Sequence, residues 1–427
     1  MSARKDGHGD MNFGSSASTV SKHFVTGIMI SAVLSATACT PAPPVKGFSN
    51  ITLEGVVAAI SVNPQAFGQG IENVKEGYVA LIKENGSYTV IKTSGMASQE
   101  LLWTKKGLYF SDRDSDYFIG KKSDGGWMSK RKTDGKVPYQ NFLVEDREGG
   151  AVAAFDLGFT DKVSNQLKII PMFSSQKPYT IASRILSAAA FCGPKLVGIT
   201  AEENNSDKAH PDIEARDYVT LKDLSKDSGN VSVYDSGVRS FNVISYGNAV
   251  CRTSQLFSIL SERVSETTEK LFLLKWNIIS DEKQLIPIMY KDGRQLNLSN
   301  AGIFQDRYSL VDNDTFVFSA RQTGSLFSID VNTGVVKKRF SPENLPLTRE
   351  TTDEGNIAYS LRITKKYFYI LFVGFGERNG RAHITVINKK SWKIERTITF
   401  DQTLSDLLRG GNRKMSYADG YAVDPEL

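Results

Sequence analysis

The chain has 427 residues, with 52 Lys and Arg against 47 Asp and Glu and a formal net charge of +5. So even a balance lacks the basic footprint of a nucleic-acid partner, and four His and three Cys leave little material for a His-rich metal centre. The length would hold two or three ordinary domains, or one domain built from repeats.

The first element along the chain is the apolar run Phe24 to Ala38 (FVTGIMISAVLSATA), with Lys22 and His23 before it and Cys39, then Thr40-Pro41-Ala42-Pro43-Pro44, after it. As a helix it would span about 22 Å at 1.5 Å per residue, short of the roughly 20 residues that a bilayer crossing takes. A basic flank, a short apolar stretch and small residues up to a cysteine form the layout of a secretory signal. A transmembrane anchor or a buried helix is the other reading. With Cys39 directly after Ala36-Thr37-Ala38, the segment resembles the lipobox of bacterial lipoproteins, with Ala36 where that family usually has Leu. The resemblance implies removal of residues 1–38, a lipid on Cys39, and a mature protein anchored on the extracytoplasmic side of a cell membrane. Removal would take Arg4, Lys5, Lys22, Asp6 and Asp10 and move the net charge from +5 to +4.

Residues 39–50 read as a Pro-rich tether and 51–427 as one body. From Ile51 the chain turns to short β-type runs. Asn85-Gly86 between YVALIKE and SYTVIK is the strongest local hairpin signal. The same unit recurs as Ser325 to Asp330 with Val335 to Phe340, and as His383 to Asn388 with Lys393 to Phe400. Stiffer apolar strands precede such hairpins. Their markers Leu108, Val152, Leu196, Leu256, Phe316 and Phe368 step by 44, 44, 60, 60 and 52 residues. A further unit fits at about residues 52–93. Recurrence at this scale with four strands per unit predicts an all-β chain, a β-propeller of about seven blades. Only Ile181 to Ala190 and Thr403 to Gly410 look helical, so a parallel α/β sheet is not expected. The C-terminal SYADGYAVDPEL is expected to help close the ring.

The hairpin Ser325 to Phe340 resembles the outer strands of quinoprotein-type propeller blades, on Ile329, Asp330, Thr333, Gly334 and Val335. His383 to Thr399 resembles the surface-layer and lactonase-like propellers. These resemblances imply a fold and no chemistry. No quinone motif is present and no cofactor is expected. Cys192 and Cys251 each precede a short turn into a core strand, 59 residues apart, close to one repeat. A disulfide between matching positions on adjacent blades is expected, two buried thiols being the alternative.

Candidate chemistry is sparse. Beyond residue 38 the only histidines are His210, read as a solvated loop residue, and His383, read as a partly exposed strand residue. Asp112, Asp114 and Asp116 have the alternate spacing of a calcium loop, but Tyr117 and Ser123 stand where that loop needs Gly and Glu, so the stretch reads as a polar turn. Residues 105–136 carry nine basic residues against five aspartates. They read as a solvated propeller edge where lysine blocks strand-to-strand pairing, with docking on anionic headgroups or an acidic polymer as the alternative. No Gly-x-Ser-x-Gly elbow, P-loop or dinucleotide fingerprint occurs. Two functions follow as expectations. One is a membrane-tethered binding or scaffold module with an envelope protein or polymer as partner. The other is an extracytoplasmic propeller enzyme, a lactonase-like hydrolase or a cofactor-dependent dehydrogenase, working from acidic residues at the central channel.

Overall fold

The computed structural model describes residues 45–427 except 65–75, 97, 134–138, 160–164, 184–185, 203–217, 226–230, 235–240, 244, 247, 264–268, 299–301, 322, 343–356, 375–381, 401–415 and 418–419. Cys39, His210 and the helix expected at Thr403 to Gly410 lie outside these residues. Seven antiparallel sheets follow one another along the chain as the blades of a β-propeller. Blade 1 holds Val56–Pro64, Gly77–Lys83 and Tyr88–Thr93. Blade 2 holds Leu101–Thr104, Gly107–Ser111, Ser115–Lys121 and Trp127–Thr133, and blade 3 Gln140–Glu145, Ala151–Phe159, Asn165–Met172 and Tyr179–Ser183. Blade 4 holds Ala188–Cys192, Lys195–Glu202, Tyr218–Asp223 and Val231–Tyr234. In blade 5 the innermost strand is split into Phe241–Val243 and Val250–Arg252, ahead of Gln255–Arg263, Glu269–Asn277 and Lys283–Pro287. Blade 6 holds Ile303–Phe304, Thr315–Ala320, Leu326–Asp330 and Val336–Phe340, and blade 7 Ile357–Ile363, Tyr367–Gly374, His383–Asn388 and Ile394–Thr399.

All six marker residues fall at the second position of the second strand of their blades. These strands read as unbroken apolar runs because each sheet is covered on both faces. Leu108 and Phe110 pack into the seam with blade 1, while Tyr109 between them packs into the seam with blade 3. The core is accordingly seven clusters, one per seam, from blades 1 and 2 round to blades 7 and 1. Period-2 alternation here sends side chains to two buried seams.

Turn chemistry sets the hairpin registers. Gly86 takes φ +85° after Asn85, as the tight turn between Lys83 and Tyr88 requires. Gly334 has φ +73°, and a Cβ there would lie 2.0 Å from the Pro287 carbonyl oxygen. Only glycine fits that approach to blade 5.

The ring closes with the C-terminus. Tyr421–Val423 pairs as the innermost strand of blade 1, with Ala58 opposite Val423 and Ile60 opposite Tyr421. Tyr421 and Val423 enter the seam with blade 7 and Ala422 the seam with blade 2. The Ser61 hydroxyl accepts from Gly420 N at 2.6 Å and donates to the Gln99 carbonyl at 3.0 Å, tying this joint to blade 2.

Two expectations need correction. Ile181 to Ala190 is not helical: Tyr179–Ser183 closes blade 3 and Ala188–Cys192 opens blade 4. Helix propensity in SRILSAAA yields to pairing, Ala188 opposite Ile199 and Ala190 opposite Val197, with small side chains filling a narrow inner seam. The tether is also shorter than residues 39–50. Val45 and Lys46 pair in parallel with Val90 and Ile91, and Phe48–Asn50 forms a 3-10 turn whose Phe48 ring meets Tyr117 edge-on at 4.9 Å.

Candidate functional site: the central channel and its mouth

The innermost strands are short, so the chain after each of them decides what enters the channel. In blade 6 the strand Ile303–Phe304 ends in Gln305-Asp306-Arg307-Tyr308-Ser309. Asp306 folds this segment into a turn by accepting from Tyr308 N at 2.9 Å, while its own N–H donates to Ser309 Oγ at 2.9 Å. The turn aims Arg307 across the ring. Its Nη2 donates to the Trp103 carbonyl of blade 2 at 2.6 Å, and its Nη1 lies 2.9 Å from Glu145 Oε2 of blade 3. Its guanidinium also covers the Tyr308 ring at 4.8 Å, and Tyr308 OH donates to the same Glu145 oxygen at 3.4 Å. Blade 6 is thereby pinned to the opposite wall.

Arg362, set in the apolar strand Ile357–Ile363, does the same for neighbours. Its Nε donates to the Tyr421 carbonyl at 2.5 Å and lies 3.9 Å from Asp306 Oδ2. Blade 5 adds backbone: between the two halves of its split innermost strand, Ser245 and Tyr246 pair in parallel with Ile303 and Phe304, and the Asn248 carbonyl accepts from Gln305 Nε2 at 3.3 Å. What is left inside is a cavity of about 30 Å³, lined by Glu100, Gln305, Asp306, Arg307, Arg362 and Val423 among others.

Three carboxylates, Glu100, Glu145 and Asp306, thus converge with two guanidiniums. Withdrawal from water raises the pKa of Glu100, and Arg362 opposes the rise. Burial likewise raises Asp306 against Arg362 and Arg307, and Glu145 against Arg307. Desolvation is the larger effect at each.

The roomier space is the mouth at the end where first strands turn into second strands. About 360 Å³ lies among Glu145, Arg147, Phe191, Cys251, Thr253 and Tyr308, on blades 3 to 6. Its wall is fixed twice. Arg147 Nε donates to the Gly193 carbonyl, joining the turns of blades 3 and 4. The disulfide Cys192–Cys251 joins blades 4 and 5, with Cα atoms 5.3 Å apart. A further groove of about 380 Å³ lies against the outer part of blade 6, lined by Lys291, Asp330, Lys337 and Arg339.

The other candidate residues lie elsewhere. Asp112, Asp114 and Asp116 stand at the turn between the second and third strands of blade 2. Asp112 is fully buried and accepts from Ser94 N, Asp114 N, Ser115 N and Tyr117 OH at 2.7 to 2.9 Å. Asp116 accepts from Ser111 Oγ at 2.6 Å. Four donors on one carboxylate make it a turn-former. His383 is half-buried at the start of its strand in blade 7, stacked on Phe372 at 4.8 Å. Neither reaches the channel. The residues that do were missed by motif reading; the available signal was a charged residue inside an apolar strand, as in Leu361-Arg362-Ile363.

No protein-family model matches the chain, and no curated protein matches it. Among solved structures it is similar to apo AztD of Citrobacter koseri, with 10% identity over 87% of this chain and 100% of that one, TM-score 0.42. It is also similar to the β-propeller domain of the Trilobed protease of Pyrococcus furiosus, with 10% identity over 84% and 98% of the two chains, TM-score 0.44. The α-L-arabinanase of Penicillium chrysogenum is 16% identical over 82% and 96%, TM-score 0.38. At such identities the likeness is one of fold.

Proposed function

We propose that the chain is a lipid-anchored extracytoplasmic propeller that acts as a binding module, engaging its partner at the channel mouth. The observation that carries this reading is the bridge of Arg307 to Trp103 and Glu145, which leaves about 30 Å³ beside Glu100 and Asp306. That is room for a few water molecules, at about 10–15 Å³ for each, and not for a substrate. An enzyme working from Glu100 or Asp306 needs its substrate to reach them, whereas the mouth has ligand-pocket size without any such passage. The Cys192–Cys251 disulfide supports an oxidising, extracytoplasmic compartment, and the residues around Cys39 support the anchor. A propeller hydrolase is the second reading, favoured by the raised carboxyls of Glu100 and Asp306.

A photo-crosslinking residue at Phe191 or Thr253, in protein kept in its own membrane, tests the mouth. Both positions are expected to yield the same adduct, which the same residue at the exposed rim position Ile279 does not. Adducts indifferent to position end the reading. For the anchor, metabolic labelling with a fatty-acid analogue is expected to mark the wild type and not Cys39→Ser. Equal labelling of the two removes the lipid, because membrane affinity at roughly 0.8 kcal/mol per buried CH₂ rests on that one sulfur.

A further inference from the structure

The outermost strand of blade 2, Trp127–Thr133, is an open sheet edge carrying Lys130, Arg131 and Lys132, all exposed. The turn leading into it adds exposed Lys121 and Lys122, and Asp124 is its only acid. Lysine on an edge strand already blocks pairing with another chain, so charge by itself selects nothing. The outermost strand of blade 6, Val336–Phe340, is basic as well, with Lys337, Lys338 and Arg339.

The entry of the chain separates the two edges. Val45 and Lys46 add to the outer edge of blade 1, and the next turn lays Phe48 against blade 2. The Tyr117 ring that meets Phe48 at 4.9 Å also lies under the Arg131 guanidinium at 5.5 Å. The chain therefore joins the body one ring away from the basic strand. Val45 is six steps along the chain from Cys39, and fully extended these reach about 20 Å. With that reach as an upper limit, a lipid on Cys39 would let this rim, and not that of blade 6 on the far side of the ring, come within one Debye length, about 8 Å, of the headgroups at physiological salt.

We propose that the basic edge of blade 2 docks on anionic phospholipid headgroups as a second membrane contact beside the lipid, with the rim of blade 2 toward the bilayer; this rests on the lipid-anchored reading above. One acyl chain alone gives marginal, reversible binding, and a polybasic patch is a sufficient second signal. Each Lys or Arg near an anionic surface strengthens partition roughly fivefold, so three together are worth about a hundredfold.

The test uses the lipidated mature protein on phosphatidylcholine vesicles with and without phosphatidylglycerol, with lysine acetylation read residue by residue. Lys130 and Lys132 are expected to lose reactivity when phosphatidylglycerol is present and to regain it at high salt, while Lys337 and Lys338 keep theirs. Equal reactivity of Lys130 and Lys132 on both vesicles overturns the docking, and intact mass reports the lipid on Cys39 separately. A chain found without lipid is assayed by sedimentation on the same vesicles as full-length Cys39→Ser. There the variant K130A/R131A/K132A is expected to lose about a hundredfold in phosphatidylglycerol-dependent partition and K337A/K338A/R339A little. The same loss from both variants means unspecific cationic attraction and overturns the proposal.

Discussion

Arg307 and Glu100 meet in one channel and carry opposite consequences for stability. Arg307 holds a half-buried carboxylate and a backbone carbonyl on the far wall, with 17% of its side chain exposed against 20% for Glu145. Arg307→Ala strands that carboxylate and is expected to cost about 3 kcal/mol by chemical denaturation. Arg307→Met together with Glu145→Gln removes the charges in pairs and is expected to recover much of the loss, a coupling that a double-mutant cycle reads. Glu100 behaves differently. Its pKa is raised in the folded state, chiefly by desolvation, so the native protein binds more protons than the unfolded chain between the two pKa values. Its contribution is favourable below the ordinary glutamate value of about 4.3 and is lost as pH rises through the raised folded value. Glu100→Gln is therefore expected to raise the melting temperature at neutral pH, with the gain shrinking towards zero on acidification. A variant less stable than wild type at pH 7 would show that the Arg362 attraction outweighs the desolvation.

At the scale of elements, the mouth is a place where three blades are stapled by their first turns. Cys192 ends the innermost strand of blade 4 and Cys251 sits in that of blade 5, 59 residues apart in sequence. A loop of that length is worth about 4 kcal/mol in the chain-entropy model. Cys192→Ala and Cys251→Ala are each expected to lower stability by up to that amount. The double variant should be no worse, since each change removes the same bond. Unequal single variants would mean that one sulfur matters through packing, Cys192 being fully buried in the seam of blades 4 and 5. Asp112 makes the parallel point for turns: its carboxylate organises the joint between two strands of blade 2 and the neighbouring Ser94 segment.

For the whole molecule, closure is the feature on which the other contacts depend. Tyr421–Val423 comes from the far end of the chain, so blade 1 is complete only when both termini of the body have met. Truncation after Gly420 would open the inner edge of the long strand Val56–Pro64 over Ala58 to Ile60 and strip Tyr421, Ala422, Val423 and Leu427 from the seams with blades 7 and 2. Such a variant is expected to aggregate, which size-exclusion chromatography reads directly. Ala422→Glu tests the same joint with one residue. A buried, unpaired carboxylate in that seam is expected to cost several kcal/mol.

The fold was legible in the sequence because each blade repeats the same local physics. Alternating apolar strands, Asn-Gly and Thr-Gly turns and a spacing of 44 to 60 residues are local properties, and they located the start of the second strand in blades 2 to 7. The cysteine pair followed from that register. The two 60-residue steps on either side of Leu256 did not reveal that the inner strand of blade 5 splits to pair with blade 6. Local propensity misread Ile181 to Ala190 as helix because alanine favours a helix until a neighbouring strand presents its hydrogen bonds. The channel was beyond reach altogether. Arg307 meets Trp103 and Glu145 across 204 and 162 residues of chain, and no composition or spacing encodes which blades face each other across a ring. Which carboxylates are buried, which cation bridges them and where open space remains depend on distances that exist only once the seventh blade has closed on the first.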